Sequence, residues 1–89
     1  MSWPGLQVYT YKDGDCYVVY IHSQATASKV SVNLPDYLEG MSVTDTVEKT
    51  DGATLLTSKI SCGKIYVKFE ENNASSYSVN DNYIVLKVK

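Results

Sequence analysis

The sequence predicts an all-β domain: a single antiparallel two-sheet β-sandwich of about seven strands, of the immunoglobulin-like or Greek-key type. Valine, serine and threonine are abundant and there are eight tyrosines, and β-branched and aromatic residues suit the half-buried surface of a sheet. Short apolar and alternating segments recur at intervals of roughly 8 to 12 residues, separated by Gly, Asn, Asp or Pro. No stretch of about ten residues has the period of a helix.

The first predicted element is a hairpin. Residues 6–11 lead into Lys12-Asp13-Gly14-Asp15, and the chain resumes over residues 16–22. Asp-Gly between two β-rich segments favours a tight turn, because glycine adopts positive φ without steric cost. The second arm is apolar on both faces, which predicts a central strand or a strand whose outer face meets another domain.

Two alternating segments follow, and each predicts a strand. The first covers residues 29–34 and ends at Pro35, which cannot donate to a ladder. Its inward residues are Val30, Val32 and Leu34. After a turn over residues 36–40, residues 41–47 predict the fourth strand. One of its faces carries Met41, Val43 and Val47.

The second half of the chain predicts three more strands. Thr50-Asp51-Gly52 repeats the hairpin signal before a short strand over residues 53–57. Residues 59–63 form the next connection, in which Ile60 is a candidate core residue. Two strands with clear alternation lie on either side of a long polar loop over residues 70–81. Their inward residues are Ile65, Val67, Phe69, Ile84, Leu86 and Val88.

Length and charge restrict the functions that are open to the chain. Its 89 residues form one domain, since two separate cores would each be too small to support themselves. All eight basic residues are dispersed lysines and the net charge is −2, which argues against nucleic-acid binding. We also expect no membrane span and no signal peptide in this chain. Cys16 and Cys62 allow one disulfide at most, and nothing in the sequence brings them together.

The residue types of common catalytic and metal sites do not converge. His22 is the single histidine, and Ser23 beside it points to the opposite face if the strand continues. The acidic pairs fall in predicted turns, where water keeps them ionised. Asp13 with Asp15, or the segment 80–82, offers oxygen ligands for calcium, but turn chemistry explains the same residues. We therefore predict no catalytic residue, no metal site and no cofactor.

The aromatic residues are the best candidates for a contact surface. Aromatic rings form platforms on which sugars pack, and tyrosine hydroxyls add hydrogen bonds. The same rings also suit the covering of a sandwich or a contact with a neighbouring domain. The candidate residues for carbohydrate or interdomain contact are Trp3, Tyr9, Tyr11, Tyr66 and Tyr83.

The succession of segments resembles the small β-sandwich domains at the C-terminus of many polysaccharide-degrading glycoside hydrolases of gut Bacteroides. The segments that carry the resemblance are the hairpin over residues 11–21, the strand 29–35, the segment from Val43 to Gly52, residues 63–67 and the strand 83–88. In those enzymes the domain packs on a catalytic barrel and usually lacks catalytic residues.

The resemblance implies that this chain is a C-terminal fragment of a larger multidomain protein. It also implies an extracellular, periplasmic or cell-surface location and a non-catalytic role that stabilises or orients a neighbouring catalytic domain. A carbohydrate-binding module, with polysaccharide as its partner, is the alternative. A cell-surface protein-interaction domain is a third possibility, because fold alone does not decide function.

Overall fold

Seven strands form two antiparallel sheets that pack face to face, in a computed structural model that describes residues 6–24, 26–70 and 81–89. The first sheet has the order β1-β2-β7-β4 and the second has the order β3-β6-β5. The predicted all-β sandwich is confirmed. The strands are β1 (Gln7–Asp13), β2 (Cys16–Ser23), β3 (Ala27–Asn33), β4 (Val43–Lys49), β5 (Ala53–Leu55), β6 (Lys64–Phe69) and β7 (Asn82–Val88).

The connectivity contains a Greek key that spans both sheets. Strands β4, β5 and β6 follow one another around the edge of the sandwich, and β7 returns to pair with β4. In an immunoglobulin constant domain the corresponding orders are β1-β2-β5-β4 and β3-β6-β7. Here the fifth and seventh strands exchange places.

The predicted first hairpin is confirmed, and its second strand is central. Gly14 has φ of 62°, and the pairing runs without interruption from Asp13↔Cys16 to Gln7↔His22. Strand β2 lies between β1 and β7. Its inner face packs on the core and its outer face lies beneath aromatic rings, so both faces are apolar.

The core lies between the sheets and comes from the predicted alternation of β3, β6 and β7. Ile60 is also fully buried, beside the start of β4. Met41, Val43 and Val47 were predicted to share one face, and this prediction is wrong for Val47, which is half exposed while Met41 and Val43 pack against the core. Strand β4 shifts register twice against β7, and Val47 lies in the second shift, between Thr46 and Glu48. The main buried side chains are Val19, Ile21, Val30, Val32, Leu38, Ile60, Ile65, Val67, Phe69, Ile84, Leu86 and Val88.

The second predicted hairpin is also wrong, because β4 and β5 belong to different sheets. Gly52 makes the crossover between them, and its φ is not in the left-handed region. What requires glycine there is space: a Cβ atom would lie 2.1 Å from the carbonyl oxygen of Glu70 and 2.5 Å from Asn82 Oδ1. Asn82 is fully buried; it accepts a hydrogen bond from Thr50 Oγ1 and donates one to the Glu70 carbonyl, both at 2.8 Å.

A tight turn before β6 is held by a side chain from elsewhere in the chain. Ser61 and Lys64 exchange two backbone hydrogen bonds across Cys62 and Gly63, which have φ of 56° and 71°. The carboxylate of Glu39 accepts hydrogen bonds from both turn amides, at 3.0 Å and 2.5 Å. Glu39 follows the 3₁₀ turn Asp36–Leu38, so this contact fixes one end of the sandwich.

Candidate recognition surface

Four tyrosines share the outer face of the four-stranded sheet, and we call this set the tyrosine face: Tyr9, Tyr11, Tyr20 and Tyr83. Antiparallel partners lie on the same side of a sheet. Tyr9 is paired with Tyr20, and Tyr83 is paired with His22 on the same side as Tyr20. The tyrosine face therefore extends across β1, β2 and β7.

Three rings of the tyrosine face pack on one another. The centroids of Tyr9 and Tyr20 lie 6.0 Å apart with the planes tilted by 45°, and those of Tyr20 and Tyr83 lie 6.1 Å apart at 14°. Tyr9 and Tyr11 are each 58% exposed, whereas Tyr20 and Tyr83 are half-buried. The two tyrosine rings of the edge strand β1 are therefore open to solvent, whereas the rings of Tyr20 on β2 and Tyr83 on β7 are held in place by neighbouring side chains.

Tyr83 is fixed by an acidic partner on the adjacent strand. Its hydroxyl donates a 2.6 Å hydrogen bond to Glu48 Oε1. This bond, together with burial and the negative charge of Glu48, raises the pKa of Tyr83 above its ordinary value of 10.0. Tyr83 is consequently neutral at physiological pH, and its ring cannot rotate away without loss of the bond to Glu48.

Charged groups surround the rings, and most of them are acidic. Asp45 is paired with Lys87, and Glu48 is paired with Val85, on the outward side. The Lys87 ammonium lies 3.9 Å from Asp13 Oδ2. The carboxylates of Asp13, Asp45 and Glu48 therefore lie on this face with the ammonium of Lys87. The surface combines aromatic rings with hydrogen-bond acceptors and a local excess of negative charge.

The structure brings together three of the five predicted contact residues. Tyr9, Tyr11 and Tyr83 belong to the tyrosine face, while Trp3 lies outside the described residues. Tyr66 projects from the other sheet, and the Lys29 ammonium sits 4.5 Å from the centroid of its ring. It therefore cannot act with the other three.

Tyr20 is the member of the tyrosine face that sequence reasoning missed. It lies in β2, whose apolar residues on both faces hide the alternation that marked the other tyrosines as outward. A usable signal was present in the hairpin: a two-residue turn after Asp13 places Tyr9 opposite Tyr20. Pairing residues outward from the turn would have identified it.

His22 is held by an acid, and its neighbour Ser23 lies on the other side of the sheet. Its Nε2 atom hydrogen-bonds the carboxylate of Asp81, and its Nδ1 atom is buried without a hydrogen-bond partner among the described residues. Ser23 is fully buried on the inner face, because neighbouring residues of a strand alternate in direction. The side-chain pair that a Ser-His nucleophile needs is therefore not formed by these two residues.

Other features of the described residues add no second site. Cys16 and Cys62 are both free thiols. Within residues 6–24, 26–70 and 81–89, no group of three or more His, Cys, Asp or Glu side chains is placed to hold a metal ion. The same ranges contain no helix with the length and apolar character needed to cross a membrane.

Comparison of the chain with protein-family models, with curated proteins and with solved structures gives no match.

Proposed function

We propose that this chain is a non-catalytic carbohydrate-recognition module, of the kind that accompanies polysaccharide-degrading glycoside hydrolases outside the cytoplasm, and that the tyrosine face binds the polysaccharide. The observation that carries the proposal is the position of Tyr9 and Tyr11. Both rings are open to solvent on the edge strand β1, and the Tyr9 ring packs beside that of Tyr20, which packs in turn on Tyr83. Sugar rings pack their C–H surfaces on such aromatic faces.

The charged groups on this face favour a sugar ligand over a protein domain. The buried centre of a protein–protein interface is depleted of charged residues, whereas Asp45, Glu48 and Lys87 lie on the β4 and β7 side of the face that carries the tyrosines. Covering these carboxylates with a protein domain would cost their hydration unless each found a partner. A polysaccharide leaves them partly hydrated and offers hydroxyl donors. The excess of carboxylates selects neutral chains over uronic-acid or sulfated chains, since like charges repel.

Affinity electrophoresis against a panel of neutral and acidic polysaccharides tests this function. We expect retardation by at least one neutral polysaccharide and none by acidic ones. Tyr9→Ala and Tyr11→Ala should each weaken binding about tenfold, as removal of a central aromatic contact commonly does. Tyr66→Ala is the matched control, because it removes the same side chain from the opposite side of the sandwich. No retardation across the panel, or an equal loss in Tyr66→Ala, would contradict the proposal.

A second candidate function is the stabilisation of a neighbouring catalytic domain. The observation in its favour is the exposure of large side chains on the edge strand β1, where Tyr9 and Tyr11 are each 58% exposed. Amphipathic rings of this kind also suit the contact between two domains. In this case, Tyr9→Ala and Tyr11→Ala would leave polysaccharide migration unchanged. They would instead lower the unfolding temperature of the enzyme that contains the domain, and not that of the isolated domain.

A further inference from the structure

Strand β1 has one backbone edge without a partner among the described residues. It pairs only with β2, at the end of the four-stranded sheet. The two-residue turn makes Asp13 and Cys16 a hydrogen-bonded pair, and hydrogen-bonded pairs alternate along an antiparallel ladder. The backbone groups of Tyr9 and Tyr11 therefore point toward β2. The N–H and C=O groups that point away belong to Val8, Thr10 and Lys12.

The other three sheet edges carry features that oppose pairing with a further strand. Strand β4 shifts register twice, and its start is bonded by residues 58–60. Strand β3 contains a register shift between Ala27 and Val30, and β5 has only three residues. Bulges and short length are the usual protection of exposed edges. Strand β1 has seven residues in unbroken register and contains no proline.

We propose that β1 pairs antiparallel with β1 of a second copy of this chain, about a two-fold axis at Thr10. Several registers would pair the unpartnered backbone groups of Val8, Thr10 and Lys12 with the same groups of the second copy. The register centred on Thr10 is the one that pairs all seven residues of β1, and it forms about six backbone hydrogen bonds. The side-chain pairs that result are Tyr9 with the second copy's Tyr11, Gln7 with Asp13, Val8 with Lys12 and Thr10 with Thr10.

The side chains of this register complement one another. Aromatic pairs are favourable across strands, and like charges opposite one another are unfavourable. Tyr9 and Tyr11 meet twice by symmetry, and no like-charged residues are opposed. A shift that placed Lys12 opposite Lys12 would lose both advantages. In the proposed register Lys12 lies at the end of the paired segment, where its ammonium reaches water.

The dimer would join the two four-stranded sheets into a continuous eight-stranded sheet. The tyrosine face of each copy would then continue into that of the other through the contact between Tyr9 and Tyr11. The self-association rests on backbone geometry and does not depend on carbohydrate binding. Dimerisation is measured on the unaltered chain without polysaccharide, so its absence would not count against carbohydrate binding.

Amide hydrogen exchange measured by NMR over a range of protein concentrations tests the paired edge. We expect the amides of Val8, Thr10 and Lys12 to exchange rapidly in dilute protein and to become protected as concentration rises, in step with dimer formation in sedimentation equilibrium. The amides of Tyr9 and Tyr11 should be protected throughout. Protection of all three edge amides at every concentration would show that the chain covers its own edge. That result, or a monomer at concentrations up to about 1 mM, would overturn the proposal.

Charge variants test the register. Tyr9→Lys/Tyr11→Lys places like charges in two symmetric pairs and should weaken dimerisation by roughly tenfold or more, whereas Tyr9→Lys/Tyr11→Glu places opposite charges there and should retain it. Ser31→Lys/Asn33→Lys is the matched control, since it adds two lysines to exposed positions of the edge strand β3. Equal dimerisation of the two Tyr9/Tyr11 variants, or dissociation by the control, would refute this register. Circular dichroism verifies that each variant is folded.

Discussion

We expect replacement of the buried Gly52 by alanine to be one of the most destabilising single changes in the sandwich. The added Cβ would lie 2.1 Å from the Glu70 carbonyl oxygen and 2.5 Å from Asn82 Oδ1. The Glu70 atom belongs to the backbone, so it cannot rotate away as a flexible side chain would. The two chain segments would have to separate by roughly 1 Å or more to reach van der Waals contact.

That separation would break one hydrogen bond that extends the β5–β6 ladder and one that joins the two sheets. The Glu70 N–H donates to the Gly52 carbonyl at 2.6 Å, and Asn82 Nδ2 donates to the Glu70 carbonyl at 2.8 Å. An opening of about 1 Å leaves the first contact too long to count as a hydrogen bond. Buried groups left unpaired cost about 1–3 kcal/mol, and strain from overpacking costs about 1–3 kcal/mol. We therefore expect Gly52→Ala to lower the free energy of unfolding by about 3–5 kcal/mol.

Urea unfolding followed by circular dichroism measures this loss. With a denaturant slope of about 1.5 kcal/mol per molar, the midpoint should fall by about 2–3 M. Gly40→Ala is the control for backbone strain: Gly40 has φ of 80° and open space where a Cβ would be, so its cost should be about 1–2 kcal/mol. A loss below about 1 kcal/mol in Gly52→Ala would show that the close contact with Glu70 does not constrain the fold.

Three further predictions concern the turn before β6 and the tyrosine face. Cys62→Asn should raise the free energy of unfolding by about 0.5–1 kcal/mol, because asparagine tolerates φ near 56° better than cysteine does; an unchanged unfolding temperature would contradict it. Glu39→Ala should lower the free energy of unfolding by about 1 kcal/mol, since the amides of Cys62 and Gly63 lose their acceptor. Urea unfolding measures the difference. Tyr83 has a raised pKa in the folded state, so its contribution to stability is present below pH 10.0 and is lost as pH rises through the folded-state pKa. In an ultraviolet titration of tyrosinate, Glu48→Gln should return the pKa of Tyr83 toward 10.0, and an unaltered late ionisation would count against the Glu48 contact.

The strands could be predicted because their information is local. Alternation along a strand and the Asp-Gly turn act over a few residues, so β1, β2, β3, β6 and β7 followed directly from the sequence. The alternation of side chains along a strand was enough to predict that Ile65 and Ile84 point inward.

The errors arose where distant parts of the chain decide the structure. Asp51-Gly52 has the composition of a hairpin turn, but its glycine is required by the backbone of Glu70, which is remote in sequence. Val47 follows the alternation of β4 until bulges against β7 turn it outward. Neither the partner strand nor the bulge is encoded in the local pattern.

The candidate site was predictable in part for the same reason. The outward direction of Tyr9, Tyr11 and Tyr83 is a local property, and it was read correctly. Whether Tyr66 joins them depends on the sheet to which β6 belongs, and this is settled by pairing with β3 and β5. Single-strand patterns assign a residue to a face but not to a sheet.

NMR titration of the domain with a neutral polysaccharide fragment tests most directly whether the tyrosine face is the recognition surface. The ring resonances of Tyr9 and Tyr11 should shift most, those of Tyr20 and Tyr83 should shift less because they are half-buried, and the ring of Tyr66 on the other sheet should not move. The assignment of recognition to this face would be contradicted by shifts centred on Tyr66 and the outward residues of β6. It would also be contradicted if the four rings of the tyrosine face did not shift while resonances of another surface did.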